Sequence, residues 1–210
     1  MRPPAWASAS ASAWASAWAS AFWGQLSRRS AWYSPGWTHL FIQAGPSMTA
    51  DPTALAVCGH YEINQTVWDF AATHMILITD PESTGPDSPA GVTMLRLEFH
   101  DVTALTDVTS LALQGGVVLP TREHVLAALT FAAEMPAEAR LLVTCGAGIS
   151  RSTAIALTLL AQAMPGREAD AVTRLHRIRS GARPNPLIVQ YADDALGLGG
   201  RLVGAICGLG

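Results

Sequence analysis

The chain has 210 residues, of which 50% are apolar and 14% are charged. This length corresponds to one domain, and the apolar content is sufficient for a hydrophobic core. Thirteen basic and 16 acidic residues leave a formal net charge of −3, so the composition indicates no general attraction to nucleic acid or to an anionic membrane. The three cysteines, Cys58, Cys145 and Cys207, are too few and too widely spaced for a disulfide framework or a cysteine-rich zinc site.

Residues 1–47 differ in composition from the rest of the chain. They contain six of the seven tryptophans, and alanine occupies every odd position from 5 to 21. No Leu, Ile or Val precedes Leu26, so the segment fits a secretory signal or a membrane span poorly. We predict a low-complexity extension over 1–47, either disordered or encoded upstream of a true start at Met48, and one domain over 48–210. The extension has three arginines and no acid, so the remainder has 10 basic and 16 acidic residues, a net charge of −6.

From residue 54 onward, short apolar runs alternate with helical patterns. The runs predict strands over 54–58, 74–80, 92–100 and 139–144. The helical patterns predict helices over 64–72, from an N-cap at Thr121 to Glu134, from Ser152 to about Met164, around 171–178 and around 187–191. Such alternation is typical of an α/β fold in which a central, mostly parallel sheet is flanked by helices on both faces.

The segment CGAGISR (145–151) lies between a predicted strand and the helix that begins at Ser152. In an open α/β sheet, ligands bind at the carboxyl ends of strands. Two glycines allow several backbone N–H groups to point inward, and the helix adds its positive end, so the loop is suited to a phosphate group. The same groups would stabilise a thiolate at Cys145, and the planar fork of Arg151 matches two phosphoryl oxygens. The pattern predicts covalent phosphoryl transfer with no metal and no other cofactor.

The sequence VTCGAGISRSTA resembles the signature of the cysteine-dependent tyrosine and dual-specificity protein phosphatases, in which five residues separate Cys from Arg and a Ser follows. The AGxSRS interior is most similar to the dual-specificity branch. The likeness extends over most of 53–206 and includes FHD at 99–101 and RPN at 183–185. In particular, the chain resembles a group of short bacterial tyrosine-phosphatase-like proteins. The resemblance implies the phosphotyrosine-phosphatase-like fold.

The resemblance also implies a role for each matching residue. Cys145 would be the nucleophile that becomes phosphocysteine, Asp101 the general acid, and Ser152 the hydroxyl that stabilises the departing thiolate. The phosphate oxygens would be held by the Arg151 side chain and by the backbone amides of Gly146, Ala147, Gly148, Ile149, Ser150 and Arg151.

Two positions depart from the family pattern. Thr144 stands where the family usually has His before the cysteine; because that His tunes the nucleophile without doing the chemistry, we expect activity to survive. Asp101 lies 44 residues before Cys145, further than is common in dual-specificity members. The extra length falls in the predicted connection 102–120, where Asp107 is an alternative general acid.

Other polar residues have plainer interpretations. The pair Asp193 and Asp194 is predicted to be solvated. His100 is also predicted to be solvated, with the alternative that it orients the neighbouring acid Asp101. Asn185 is predicted to shape the turn before the last helix, and the resemblance gives it a second possible role in supporting the phosphate loop. Cys58 is predicted to be structural, with the alternative of a protective disulfide to Cys145, as some family members form with a second cysteine.

The function implied by the resemblance is hydrolysis of phosphomonoesters, with phosphotyrosine in proteins as the first expectation. The partner would be a phosphorylated protein or a small phosphomonoester, with neither nucleic acid nor membrane. Two alternatives stay open: a phosphate-binding module with little or no turnover, and a phosphoinositide or nucleotide phosphatase. The uncharged residues 146–149 favour a protein over a polyphosphorylated lipid. The reactive thiol and the absence of a convincing signal sequence indicate the cytoplasm.

Overall fold

The structure, a computed structural model, describes residues 54–103 and 116–208. The strands are β1 (Leu55–Gly59), β2 (His74–Thr79), β3 (Thr93–Glu98) and β4 (Leu141–Cys145). A short 3-10 turn, His60–Glu62, follows β1. The helices are α1 (Ile63–Phe70), α2 (Arg122–Ala133), α3 (Arg151–Ala163), α4 (Glu168–Ile178), α5 (Pro186–Leu196) and α6 (Arg201–Cys207). The predicted extension 1–47 and the alternative acid Asp107 lie outside the described residues.

The four strands form one parallel sheet in the order β1-β4-β2-β3. The two central strands are the most apolar, and every residue from Met75 to Ile78 is buried completely, as expected of strands covered on both faces. Because the strands are parallel, the carboxyl ends of β1, β4 and β2 meet at one edge of the sheet. The loop after β4 therefore lies between the segments that follow β1 and β2.

Helices cover both faces of the sheet, but unequally. On one face α1 contributes Ile63, Val67 and Phe70 to a small apolar cluster. On the other face α2 to α6 build the main core with the opposite side chains of the strands. The predicted α/β class and the predicted parallel sheet are confirmed. Within 54–103 and 116–208, no helix is both long enough and apolar enough to cross a bilayer.

The C-terminal region differs from the sequence prediction. The helix α6 was not predicted, because the glycine-rich stretch around it shows no regular apolar spacing. Asp193, predicted to be solvated, is only 2% exposed. Its carboxylate accepts hydrogen bonds from the N–H groups of Gly200, Leu202 and Val203 at 2.6, 2.7 and 3.3 Å. The carboxylate thus satisfies the free amides at the start of α6.

Candidate active site

The loop 146–150 turns back over the end of β1 so closely that one position has no room for a side chain. Gly148 has a φ of +68°, and a Cβ there would lie 2.4 Å from the carbonyl carbon of Cys58 and 2.5 Å from the nitrogen of Gly59. L-residues rarely adopt this backbone conformation, and the approach to backbone atoms leaves no side chain to move aside. Glycine is therefore required at 148 by both conformation and space.

The carbonyl groups of the loop all point outward. Donors from distant segments are the His60 N–H for Gly146 (3.1 Å), the Arg179 guanidinium for Ala147 and Gly148 (3.3 and 3.2 Å), the Arg183 N–H for Ile149 (2.8 Å) and the Asn185 N–H for Ser150 (3.3 Å). The Ser150 carbonyl also accepts from the Thr153 hydroxyl and the Ala154 N–H of α3, at 2.8 and 3.0 Å. In a trans peptide the C=O and N–H groups point in opposite directions. Carbonyls held outward therefore turn the amides toward the inside of the loop, where they can bind an anion.

An ion pair fixes the outer side of this loop to the segment after β1. Arg179 donates to both carboxylate oxygens of Glu62, at 3.0 and 2.9 Å. Glu62 also accepts a hydrogen bond from the Gly59 N–H at 2.7 Å. The hydrogen bonds from Arg179 hold the pKa of the Glu62 carboxyl below its usual value, and the same pairing raises the pKa of Arg179. One guanidinium thus ties the loop carbonyls to β1.

Cys145 lies at the base of the loop, at the carboxyl end of β4. Its side chain is buried, and its Sγ lies 3.1 Å from the hydroxyl oxygen of Ser152. Ser152 is completely buried in the first turn of α3. Its hydroxyl can donate a hydrogen bond to a thiolate at this distance.

Arg151 begins α3 and is only 7% exposed. Its Nη1 donates to Oδ1 of Asp80 at 2.7 Å and to the carbonyl of Phe99 at 2.8 Å. Its Nη2 lies on the side of Gly146, 3.9 Å from where a Cβ of that residue would be. The buried Nε has no hydrogen-bond partner within the part of the chain that the structure describes. The guanidinium is therefore held on one edge and retains donors for an anion.

Asp80 is a site residue that the sequence interpretation missed. It directly follows the buried strand β2, at the same edge of the sheet as Cys145. An acidic residue immediately after a fully buried parallel strand was the signal that could have identified it.

Asp101 and Asn185 are joined in one hydrogen-bond network with the loop. Oδ1 of Asp101 accepts from the Ser150 hydroxyl and from Nδ2 of Asn185, both at 2.7 Å. Oδ2 of Asp101 lies 3.9 Å from Nε of Arg151. Asn185 is completely buried; its Oδ1 caps α5 by accepting from the N–H groups of Leu187 and Ile188. Both interpretations of Asn185 therefore apply, since it shapes the turn and contacts the loop.

His100, predicted to be solvated, is instead part of a hydrogen-bonded turn beside Asp101. Its Nδ1 accepts from the Val118 N–H at 3.0 Å, and its backbone N–H donates to the Val118 carbonyl at 2.8 Å. Its Nε2 lies 3.1 Å from a carboxylate oxygen of Glu82. These contacts bring the segment around Val118 next to His100, the residue that directly precedes Asp101.

The arrangement contradicts a disulfide between Cys58 and Cys145. Cys58 pairs with Thr144 in the register of β1 and β4, whereas Cys145 pairs with Gly59. Because side chains alternate between the faces of a sheet, Cys58 packs in the cluster around α1 and Cys145 in the opposite one. Both thiols are free, and bridging them would require the backbone to move. Burial raises the pKa of the Cys58 thiol, as expected of a structural cysteine.

Comparison with solved structures identifies the fold. DUSP15 superimposes with a TM-score of 0.53 at 20% identity, covering 75% of this chain and 90% of that one. PTPMT1, solved in complex with PI(5)P, gives 0.51 at 18% identity, covering 70% and 92%. Human DUSP28 gives 0.50 at 22% identity, covering 70% and 96%. No family model and no curated protein matches the sequence.

The chain therefore has the α/β fold of the dual-specificity and tyrosine phosphatases, as the resemblance implied. The narrower likeness to short bacterial proteins stays a prediction.

Proposed function

We propose that this chain is a phosphatase that hydrolyses phosphomonoesters, first of all phosphotyrosine in proteins, through a phosphocysteine intermediate at Cys145. The observation that carries the proposal is the loop itself. Its carbonyls are all bonded outward, its amides face inward, and Cys145 lies at its base beside a buried arginine and a buried serine. Such a site binds a phosphoryl group and offers it a nucleophile.

In the first step, the Cys145 thiolate attacks phosphorus. A P–S bond forms while the ester P–O bond breaks, and the leaving oxygen takes a proton from Asp101. We assign this proton to Oδ2 of Asp101, because Oδ1 already accepts two hydrogen bonds. The loop amides and Arg151 hold the three equatorial oxygens and stabilise the charge that develops on them.

In the second step, water attacks the phosphocysteine. Asp101, now ionised, removes a proton from the water, an oxygen–phosphorus bond forms and the P–S bond breaks. The Ser152 hydroxyl donates a hydrogen bond to the departing thiolate, since the two atoms are 3.1 Å apart in the free protein. The products are the dephosphorylated alcohol or phenol and inorganic phosphate.

The first experiment measures phosphate release from para-nitrophenyl phosphate by the full chain and by its Cys145→Ser and Arg151→Ala variants. We expect turnover by the native chain and none above background by either variant. Thermal unfolding of all three proteins is the control that the variants are folded. If the native protein is folded and reduced and binds a phosphorylated ligand but does not hydrolyse it, the alternative of a phosphate-binding module is supported.

The role of Asp101 is tested against its rival Asp107. We expect Asp101→Asn to lower kcat by about 100-fold or more, the usual contribution of general acid catalysis, and Asp107→Asn to leave it unchanged. This assignment is favoured by the contacts of Asp101 with Ser150 of the loop and with Asn185, whose N–H donates to the Ser150 carbonyl. The reverse result would transfer the role to Asp107.

A further inference from the structure

The carboxyl group of Asp101 is held by two donors that come from different parts of the chain. Its Oδ1 accepts from the Ser150 hydroxyl and from Nδ2 of Asn185, both at 2.7 Å. Ser150 belongs to the phosphate loop, and Asn185 is the N-cap of α5. The family resemblance implies only a backbone role for Ser150, through an amide that would face a phosphate oxygen. Its hydroxyl is committed instead to the carboxyl group of Asp101.

The two donors fix this carboxyl group relative to different parts of the protein. Asn185 is buried completely; its side chain also caps α5 and donates to the carbonyl of Val102 at 3.0 Å. It therefore holds Asp101 against α5. Ser150 is tied to the start of α3, because its carbonyl accepts from the Thr153 hydroxyl at 2.8 Å. The Ser150 hydroxyl is therefore the group that connects the position of the phosphate loop directly to the acid.

The pair of donors also determines which oxygen of Asp101 is available. Oδ1 is occupied, whereas Oδ2 lies 3.9 Å from Nε of Arg151, on the side of the phosphate site. Both bonds to Oδ1 persist when Oδ2 carries the proton, since Oδ1 is then a carbonyl oxygen that still accepts. The χ2 torsion of an aspartate is soft. Without the Ser150 hydroxyl, Asn185 alone would hold Oδ1, and the carboxyl group could turn away from the loop.

The value of a well-placed acid depends on the leaving group. A phenolate whose charge is spread into a nitro group departs with little need of a proton. The oxygen of an unsubstituted phenol or of an aliphatic alcohol develops more charge as it departs, so its departure depends on the general acid. A misplaced acid therefore costs little rate with a good leaving group and much rate with a poor one.

We propose that the Ser150 hydroxyl is a positioning group for Asp101 that extends the site to phosphate esters with poor leaving groups, the class to which phosphotyrosine and phosphoserine belong. This inference rests on the proposed function and deepens it by naming what the loop serine contributes and which substrates require it. The amide of Ser150 would serve every phosphate ester. Its hydroxyl would serve those esters whose leaving oxygen must be protonated.

The test compares kcat/KM for phenyl phosphate with kcat/KM for para-nitrophenyl phosphate, since this ratio includes the step in which the leaving group departs. We expect Ser150→Ala to lower kcat/KM for phenyl phosphate by about tenfold, a part of the roughly 100-fold that a general acid supplies. For para-nitrophenyl phosphate the expected loss is about twofold or less. Ser150→Thr keeps a hydroxyl group and should recover most of the activity toward phenyl phosphate.

Two controls separate positioning of the acid from damage to the loop. The Thr153 hydroxyl donates to the carbonyls of Ile149 and Ser150, so Thr153→Val removes a hydroxyl that supports the same loop but leaves both donors of Asp101 in place. Any loss in Thr153→Val should be equal for the two substrates. In the Asp101→Asn protein, adding Ser150→Ala should change kcat/KM by no more than about twofold, because a group that acts through Asp101 has no further effect once the acid is gone.

Turnover by the native chain together with an equal loss for both substrates in Ser150→Ala, or with no loss for either, would overturn the inference and leave the proposed function standing. A full tenfold effect of Ser150→Ala in the Asp101→Asn protein would also overturn it, since the hydroxyl would then act through another group. If the folded, reduced native chain hydrolyses neither substrate, the proposed function fails and the inference fails with it.

Discussion

Replacing Gly148 by alanine tests whether the close approach of the loop to β1 shapes the phosphate site. The new Cβ would lie 2.4 to 2.6 Å from three backbone atoms of Cys58 and Gly59, whereas ordinary contact begins near 3.4 Å. The loop must therefore move by about 1 Å, and its left-handed backbone adds about 1–2 kcal/mol of strain. A displacement of about 1 Å in a catalytic group can cost about 100-fold in rate.

Gly166 provides the matched control. It has a similar backbone conformation, with φ of +77°, but a Cβ there would meet nothing within 4 Å. We expect Gly166→Ala to lose about 1–2 kcal/mol of stability, from backbone strain alone, and to retain its kcat. Gly148→Ala should lose at least as much stability and about 100-fold in kcat.

The assay measures kcat with para-nitrophenyl phosphate, and the free energy of unfolding is measured in urea for the same preparations. If Gly148→Ala kept its kcat within about threefold while losing no more stability than Gly166→Ala, the loop would tolerate displacement, and the reasoning from the 2.4 Å approach would be refuted.

Three further predictions follow from the contacts of the site and of α2. Asp80→Ala should lower kcat/KM by about tenfold, because Arg151 loses the charged hydrogen bond that fixes its orientation; an unchanged kcat/KM would show that Arg151 is held without it. Asn185→Ala should lower the free energy of unfolding by about 1 kcal/mol, because α5 loses its cap, and should also lower kcat, because Asp101 loses a donor; loss of stability alone would limit Asn185 to capping. Burial lowers the pKa of His124 from its ordinary 6.5, so its contribution to stability is present above pH 6.5 and lost as the pH falls. His124→Gln should reduce the fall of the unfolding midpoint between pH 7 and pH 5, and an equal fall in both proteins would contradict this role.

The elements that sequence predicted best are those with a strong local signal. The run at 74–80 has an uninterrupted apolar centre from Met75 to Ile78, and β2 occupies 74–79 of it. Thr121 is the N-cap of α2, as predicted. The predicted helix beginning at Ser152 starts one residue earlier, at Arg151, and ends at Ala163. These features depend on neighbours in the chain, so their pattern is visible in the sequence.

The contacts that sequence could not predict join residues far apart in the chain. Arg179 and Glu62 are separated by 117 positions, and Asn185 and Asp101 by 84. The prediction for Asp193 failed for a different reason: its partners lie within ten positions, but they belong to the start of α6, a helix without apolar periodicity. The loop motif is the basis for the predicted anion site, but the groups that hold Arg151 and Asp101 in position emerge only from the folded sheet.

The outward hydrogen bonds of the loop also determine when the site can form. Arg179 and Asn185, which hold the loop, come after α4. They therefore follow Cys145 and Arg151 by about thirty positions in the chain. A nascent chain that has reached the end of α3 contains Cys145 but lacks the guanidinium that holds two of the loop carbonyls. Because domains fold largely as units during synthesis, the loop would reach its folded geometry only once the chain through Asn185 is in place. On the proposed function, a fragment that stops before Arg179 would be inert, because it lacks the donors that hold the loop carbonyls.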